Sequence, residues 1–160
     1  MHVPMGPAER PVPFLCNGTS AEFHPTFLDA TLSMMYDSAM KFQDLEQFTS
    51  SDVEAAIKRN DPEELQLVPV TVALSSSDQP FAQEVCIRLA SHAHNKVRGN
   101  AVMSLGHIAR RFRALDEHIV KPVIEAALID ADEYVRTHAK AAADEIHQFL
   151  HWTIRGHEYG

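Results

Sequence analysis

The chain has 160 residues, of which 45% are hydrophobic and 22% charged, and its formal net charge is −8. This length and composition predict one globular domain. The acidic balance argues against a protein that holds nucleic acid through phosphate contacts, and no apolar run approaches the roughly 20 residues of a membrane helix. The two cysteines, Cys16 and Cys86, form no CxxC pair, so neither a disulfide scaffold nor a cysteine-built zinc site is expected.

Residues 1–25 contain five prolines, which interrupt any apolar run of the length that a secretory signal requires. We therefore expect a cytoplasmic location, in which both thiols stay reduced. Proline opposes both helix and sheet, so this region is predicted to be an extended N-terminal arm. The alternative is that the arm wraps onto the helical body, with Phe14 and Leu15 as anchors.

Apolar residues recur at helical spacing over residues 26–151, which we take as the helical domain. The first helix is predicted at 27–42. A short second helix should end near Asn60, and it opens with a capping box formed by Ser51 and Glu54.

The third helix is predicted from Asp61 to Ser75. Asp61 can cap it, Pro62 suits its first turn, and Glu64 can complete a second capping box. Pro69 favours a kink in its middle. Four further helices are predicted, from Asp78 to His92, from Lys96 to Phe112, from Glu117 to Ile129 and from Glu133 to Leu150.

Two consecutive stretches of the chain match each other in sequence. Apolar positions and an arginine recur together: Val97, Arg98 and Ala101 align with Val135, Arg136 and Ala139. We call this match the helix-pair repeat. Its period lies within the range of roughly 20–50 residues that indicates an α-solenoid, in which neighbouring helix pairs supply the core. The predicted fold is therefore all-α, a short solenoid of about six to seven helices in antiparallel pairs. Residues 152–160 follow it as a short C-terminal tail that we expect to be mobile.

The repeated segment resembles the second helix of a HEAT repeat. Residues 95–108 carry its pattern, in which a polar turn precedes Val-Arg and an alanine follows three residues after the arginine, and residues 132–139 open a second copy. The resemblance implies that second helices line a concave surface. It also implies a structural role for Arg98 and Arg136, which would bond to acidic or carbonyl groups of the adjacent repeat.

Polar residues on the second helices form the candidate partner-binding surface, with a plain solvated face as the alternative. We name this set the polar strip: Asn100, Met103, His107, Arg110, Arg111, Thr137, His138, Asp144, Glu145 and Gln148. Met103 among polar neighbours favours a contact surface, since methionine adapts readily to a partner.

The ten histidines raise the question of a metal site. His147 and His151 have chelating spacing, but two ligands make an incomplete site, and His157 lies in the tail. The HEAT-like deoxyhypusine hydroxylases bind iron through His-Glu dipeptides after Val-Arg, and here those places hold Gly99-Asn100 and Thr137-His138. We predict no catalytic residue, no metal and no cofactor.

The whole chain resembles small bacterial HEAT-repeat proteins that are encoded beside secreted toxins. The resemblance rests on Asp61-Pro62 with residues 67–69, on residues 81–92, on residues 97–101 with 106–110, and on residues 132–136. It implies an immunity protein that binds and neutralises a cognate toxin domain, and a basic nuclease would suit the acidic charge. No direct contact with nucleic acid or membrane is expected, and a small-molecule ligand is disfavoured. The alternatives are a HEAT-like enzyme, metal-dependent or a lyase, using His107, His138 and Glu145, and an adaptor subunit of a larger assembly.

Overall fold

The computed structural model describes residues 49–160, and all regular structure in this range is helical. Six helices of this range have eight residues or more and pack antiparallel to their chain neighbours, which confirms the all-α class. None of these helices is both long and apolar enough to cross a bilayer. The predicted arm 1–25 and the predicted helix 27–42 lie outside the described residues. In chain order the helices are α1 Ser50–Arg59, α2 Pro62–Leu65, α3 Val68–Ser75, α4 Gln79–Leu89, α5 Asn95–Phe112, α6 Glu117–Leu128 and α7 Glu133–Leu150.

Helix α1 is capped by a different pair of residues from the one predicted. The Thr49 hydroxyl accepts the Asp52 backbone N–H at 3.3 Å, and the Asp52 carboxylate accepts the Thr49 backbone N–H at 2.9 Å. The predicted box of Ser51 and Glu54 was therefore wrong, because Ser51 lies inside the helix and Glu54 pairs with Arg88. Both registers have a hydroxyl residue three positions before an acid, so spacing alone does not separate them.

The helix predicted over residues 61–75 is divided into α2 and α3. Asp61 caps α2 and Pro62 occupies its first turn, as predicted. Pro69 does not kink a continuous helix but lies in the first turn of α3, where its missing N–H costs nothing. Glu64 completes no capping box, since its carboxylate accepts the Arg59 Nε–H at 2.9 Å.

The helix-pair repeat is visible in the helix boundaries. α4 and α6 begin at equivalent positions of the repeat, after Asp78 and Asp116, whose carboxylates each accept a backbone N–H of the first turn. α5 and α7 both have 18 residues and also begin at equivalent positions. Each ends at a residue with positive φ, Arg113 at 51° and His151 at 59°. The pairs α4–α5 and α6–α7 therefore share one local design.

Helices α5 and α7 run side by side in the same direction and approach closely. Gly99 lies beside Tyr134 and Val135, and Gly106, two turns further along, lies beside Ala142. A Cβ atom on Gly106 would lie 3.1 Å from the Ala142 Cα, closer than most real Cβ contacts. Glycine at this position is what allows the two backbones to meet.

Helix α5 is buried over more of its circumference than the sequence pattern predicts. The expected core face is buried, and so are residues outside it, because α5 contacts α3, α4 and α7. Its solvated face is correspondingly narrow. The fully buried positions on α5 are Val97, Ala101, Val102, Ser104, Leu105, Ile108 and Ala109.

The thiol of Cys86 lies in the core on α4, with its Sγ 3.9 Å from the carbonyl oxygen of Pro69 on α3. Burial raises the pKa of this thiol far above its usual range. The thiolate is the reactive form of cysteine, so the native protein keeps this side chain chemically inert.

Candidate partner-binding surface

Three residues of the polar strip meet where α5 lies against α7. The Glu145 carboxylate accepts an N–H from Arg110 at 3.0 Å, and its other oxygen lies 3.3 Å from the Nδ1 of His107. Gly106 leaves the space for this carboxylate, because a Cβ there would lie 2.9 Å from the Glu145 Oε2. The side chains of His107 and Glu145 are only 16% and 22% exposed, so they present one edge to solvent rather than a whole side chain.

Burial sets the charge state of His107. It lowers the pKa of the imidazole, Glu145 opposes that shift, and Arg110 adds to it. The net shift is downward, so the ring is neutral near pH 7. The Glu145 Oε2 is buried and accepts no well-aligned hydrogen bond from residues 49–160. The cluster thus contains one buried carboxylate oxygen that lacks a well-aligned hydrogen-bond donor and lies 3.3 Å from the Nδ1 of a neutral imidazole.

Asn100 connects three segments of the fold. Its side-chain amide donates to the Gln66 carbonyl at 2.7 Å, and its side-chain oxygen accepts the Tyr134 hydroxyl at 2.6 Å. Burial raises the pKa of Tyr134, which keeps that hydroxyl protonated as a donor. The ring of Tyr134 also packs against His138, with 4.0 Å between centroids. Helical periodicity placed Asn100 and His138 in the strip but missed Tyr134, which joins them.

Arg111 is tied to α3. One of its terminal nitrogens donates to the carbonyl oxygens of Ala73 and Ser76, the second at 3.1 Å, and its guanidinium lies over the ring of Phe112. Met103 on the same helix is partly buried. The strip on α5 is therefore held in place by neighbouring helices.

The remaining strip residues on α7 are open to solvent. Thr137, Asp144 and Gln148 are exposed. Asp144 accepts a hydrogen bond from the ring of His157 at 2.7 Å, although its own side chain is 64% exposed. The structure thus divides the strip into a constrained part, which includes His138 and Glu145 of α7, and an exposed part on α7.

The two repeated arginines make equivalent contacts with the turns before their helices. Arg98 donates from Nη1 to the carbonyl oxygens of His92 and Ala93 at 2.9 and 3.0 Å. Arg136 donates from Nη1 to the carbonyl oxygens of Asp130 and Ala131 at 2.7 and 2.9 Å. Arg98 also forms a two-pronged ion pair with the Asp130 carboxylate, at 2.8 and 2.9 Å. Both arginines hold turns together rather than facing a substrate.

Residues 152–160, expected to be a mobile tail, instead pack onto α6 and α7. Ile154 is buried, and its backbone N–H donates to the Tyr159 hydroxyl at 2.8 Å. Tyr159 stacks on His147 at 4.1 Å and meets His157 edge-on at 4.7 Å. The apolar Ile154 and the aromatic rings of this segment were the sequence signal for packing, and the prediction of a mobile tail left them out.

No group of three histidine, cysteine, aspartate or glutamate side chains in the range 49–160 is placed to hold a metal ion. His147, one of the two histidines at chelating spacing, has its Nδ1 2.9 Å from the carbonyl oxygen of Trp152. His151 is the positive-φ residue that ends α7. Both residues have a local structural role at the helix end.

A shallow groove of about 370 Å³ lies on the α4 and α6 side. Its lining is mainly apolar and includes Ile87, Val123 and Ala126. It contains no residue of the polar strip, so it is a separate surface.

Comparison of the chain with protein-family models, with curated proteins and with solved structures found no match.

Proposed function

We propose that the chain is a protein–protein interaction module, built as a short HEAT-like solenoid, and that it serves as an immunity protein that binds and neutralises a cognate secreted toxin. The helix-pair repeat, the equivalent aspartate caps of α4 and α6 and the parallel contact of α5 with α7 all suit a solenoid. The resemblance to small bacterial immunity proteins supplies the biological role.

The observation that carries the proposal is the preorganised polar strip. Asn100 is held by two hydrogen bonds, Arg111 by two carbonyl oxygens, and Arg110 by Glu145. Ordering flexible side chains on binding costs roughly 0.5–1.5 kcal/mol for each of them, and side chains already held in place avoid most of that cost. A rigid polar surface of this kind favours recognition of a shaped protein partner.

Charge supports a basic partner. The chain carries a formal net charge of −8, and opposite charge speeds the encounter of two proteins. The strip itself carries both signs of charge, with Arg110 and Arg111 on α5 and Asp144 and Glu145 on α7. The net charge would therefore affect how fast a basic partner approaches, whereas the strip would make the contacts in the complex.

The test is binding to the product of a toxin gene next to the coding gene, measured by calorimetry with catalytically inactive toxin. His107→Ala and Glu145→Ala should each weaken binding at least about tenfold, which corresponds to about 1.4 kcal/mol. His118→Ala and Glu84→Ala make the same chemical changes at exposed positions on α6 and α4, and they should leave the affinity unchanged. Absence of binding by the unmodified protein would refute the proposal.

A second candidate, an enzyme of the HEAT-like class, is supported by one observation. A neutral imidazole beside a carboxylate, as in His107 and Glu145, is the pairing that general-base catalysis uses. His138, the third residue named for this role, contacts Tyr134 instead. Stoichiometric iron or zinc in purified protein would favour a metal-dependent enzyme, and a metal-free protein that binds toxin would favour the immunity role.

A further inference from the structure

Arg98 and Arg136 occupy equivalent positions of the helix-pair repeat, so the contacts of Arg98 show which contacts Arg136 could make. In the first helix pair the Arg98 guanidinium has hydrogen-bond partners on both of its edges. Its Nη1 holds the carbonyl oxygens of the preceding turn, and its Nε and Nη2 hold the Asp130 carboxylate of the next pair. This two-pronged geometry is the strongest form of arginine–carboxylate contact.

Arg136 reproduces one half of this arrangement. Its Nη1 holds the two carbonyl oxygens at the equivalent positions of the second pair. Those bonds fix the plane of the guanidinium. Among residues 49–160, no carboxylate reaches its Nε or Nη2, since the Asp130 carboxylate is already bound to Arg98. Glu133, one turn earlier on α7, forms no ion pair with it.

The surroundings of Arg136 suit an acidic partner with an apolar neighbour. Lys140 lies one turn further along α7 and is exposed, so a second positive charge stands on the same side of the helix. Ile129, in the turn that Arg136 holds, is 82% exposed and is the most exposed large hydrophobic residue of the described range. Arg136 and Lys140 therefore place two positive charges together in a chain with a net charge of −8, although the exposed carboxylate of Glu133 lies one turn before Arg136.

We propose that the Nε and Nη2 edge of Arg136 binds a carboxylate of a partner protein. The partner presents it as Asp130 is presented to Arg98, from an acidic turn directly before a helix, with an apolar residue that covers Ile129. This contact is inferred from the equivalence of Arg98 and Arg136 and not from the immunity role. Failure of one proposal would therefore leave the other untouched.

The side-chain Nε–H signals of the arginines in an NMR spectrum test this directly. The probe is a blocked peptide with the sequence of residues 129–134. It contains the acidic turn whose Asp130 carboxylate binds Arg98 in the protein. We expect the Arg136 signal to shift saturably, with a midpoint in the millimolar range, while the Arg98 signal stays unchanged. Arg98→Lys and Arg136→Lys identify the two signals by their loss, and the matched control is a carboxylate-free peptide in which Asp130, Asp132 and Glu133 are replaced by their amides.

An equal response of both arginines, or no response from Arg136, would overturn the proposal. Response to the carboxylate-free peptide would also overturn it, because the contact would then not depend on a carboxylate.

Discussion

The helix pairs α4–α5 and α6–α7 have equivalent aspartate caps on their first helices and the same spacing, but they differ in what covers the outer face of the second helix. Helix α5 presents Gly99 and Gly106 to α7, and the two backbones come into contact there. The residues at the equivalent positions of α7, Thr137 and Asp144, are exposed. Replacing two small residues by polar ones turns an internal contact face into an outer one, while the buried face of the helix stays the same.

A short non-helical segment, rather than another helix, lies beside the second pair. Residues 152–160 pack against α6 and α7, and the ring of His157 is bound to Asp144, the counterpart of Gly106. Arg155 donates its backbone N–H to Glu125 at 3.3 Å. A few side chains and one short segment therefore distinguish the two pairs, and substitutions can test each part of that difference.

The largest effect is expected where the two pairs are alike. Ala101→Asp and Ala139→Asp each place an unpaired charge at a fully buried position, and each should cost on the order of 3–5 kcal/mol of unfolding free energy. Urea titration followed by circular dichroism measures both. Ala114→Asp, at an exposed position, is the control. A much milder effect at Ala139 than at Ala101 would show that the second pair is packed less completely.

The next largest effect is a loss of stability that should differ between the two helix pairs. Gly106→Val drives a side chain into the Ala142 backbone, and overpacking of this kind should cost about 2 kcal/mol. Asp144→Val introduces the same side chain at the repeat-equivalent position, where the surface is open and the cost should be well under half of that. Thermal melts of the two variants give the comparison, and equal losses would mean that α5 and α7 do not make different contacts.

Asp130→Asn tests the link between the pairs through its pH dependence. Arg98 holds the pKa of Asp130 below its ordinary value of 3.8, so the native state favours the ionised form. The stabilisation is complete above the unfolded pKa and is lost as pH falls through the lower folded pKa. We expect the variant to lose about 2 kcal/mol at pH 7.

The difference between Asp130→Asn and the unmodified protein should shrink as the pH falls below about 4. Unfolding free energies at pH 7, 4 and 2.5 measure this. Glu84→Gln, the same change from carboxylate to amide at an exposed site on α4, should cause little loss at any pH. A difference that stays constant down to pH 2.5 would argue against the Asp130 ion pair.

The smallest effect is expected in the C-terminal segment. Tyr159→Phe removes the hydroxyl that accepts the Ile154 backbone N–H and should cost about 1 kcal/mol. Hydrogen exchange at the Ile154 amide is the direct measurement, and it should accelerate while the amides of α5 keep their protection. Unchanged exchange would show that the segment is held by other contacts.

Local rules predicted most of the helices but not their junctions. Glu133 and Leu150 bound α7 as predicted, because capping and helix-ending signals are local. α4 ends at Leu89, before the predicted His92, since nothing in the turn sequence marks the last hydrogen bond. Pro69 was recognised as a disruption, but whether proline bends a helix or begins a new one depends on tertiary packing.

The polar faces of α5 and α7 could be predicted from the sequence, but the contacts between their side chains could not. Spacing placed His107 and Glu145 on polar faces of their helices, but their contact depends on Gly106 bringing α5 against α7. Asn100 was assigned to a solvated face, and its two bonds come from residues 34 positions away on either side. Helical periodicity describes one helix at a time, so contacts made between helices escape it.

Cys86 gives the protein a built-in reporter of opening. Its thiol is buried between α4 and α3, and its pKa is raised, so a thiol-specific reagent cannot react until those two helices separate. The labelling rate of Cys86 in the absence of denaturant therefore measures how often this part of the fold opens. A partner that binds the native surface should slow that labelling in proportion to its occupancy, whether or not any other signal of binding is visible.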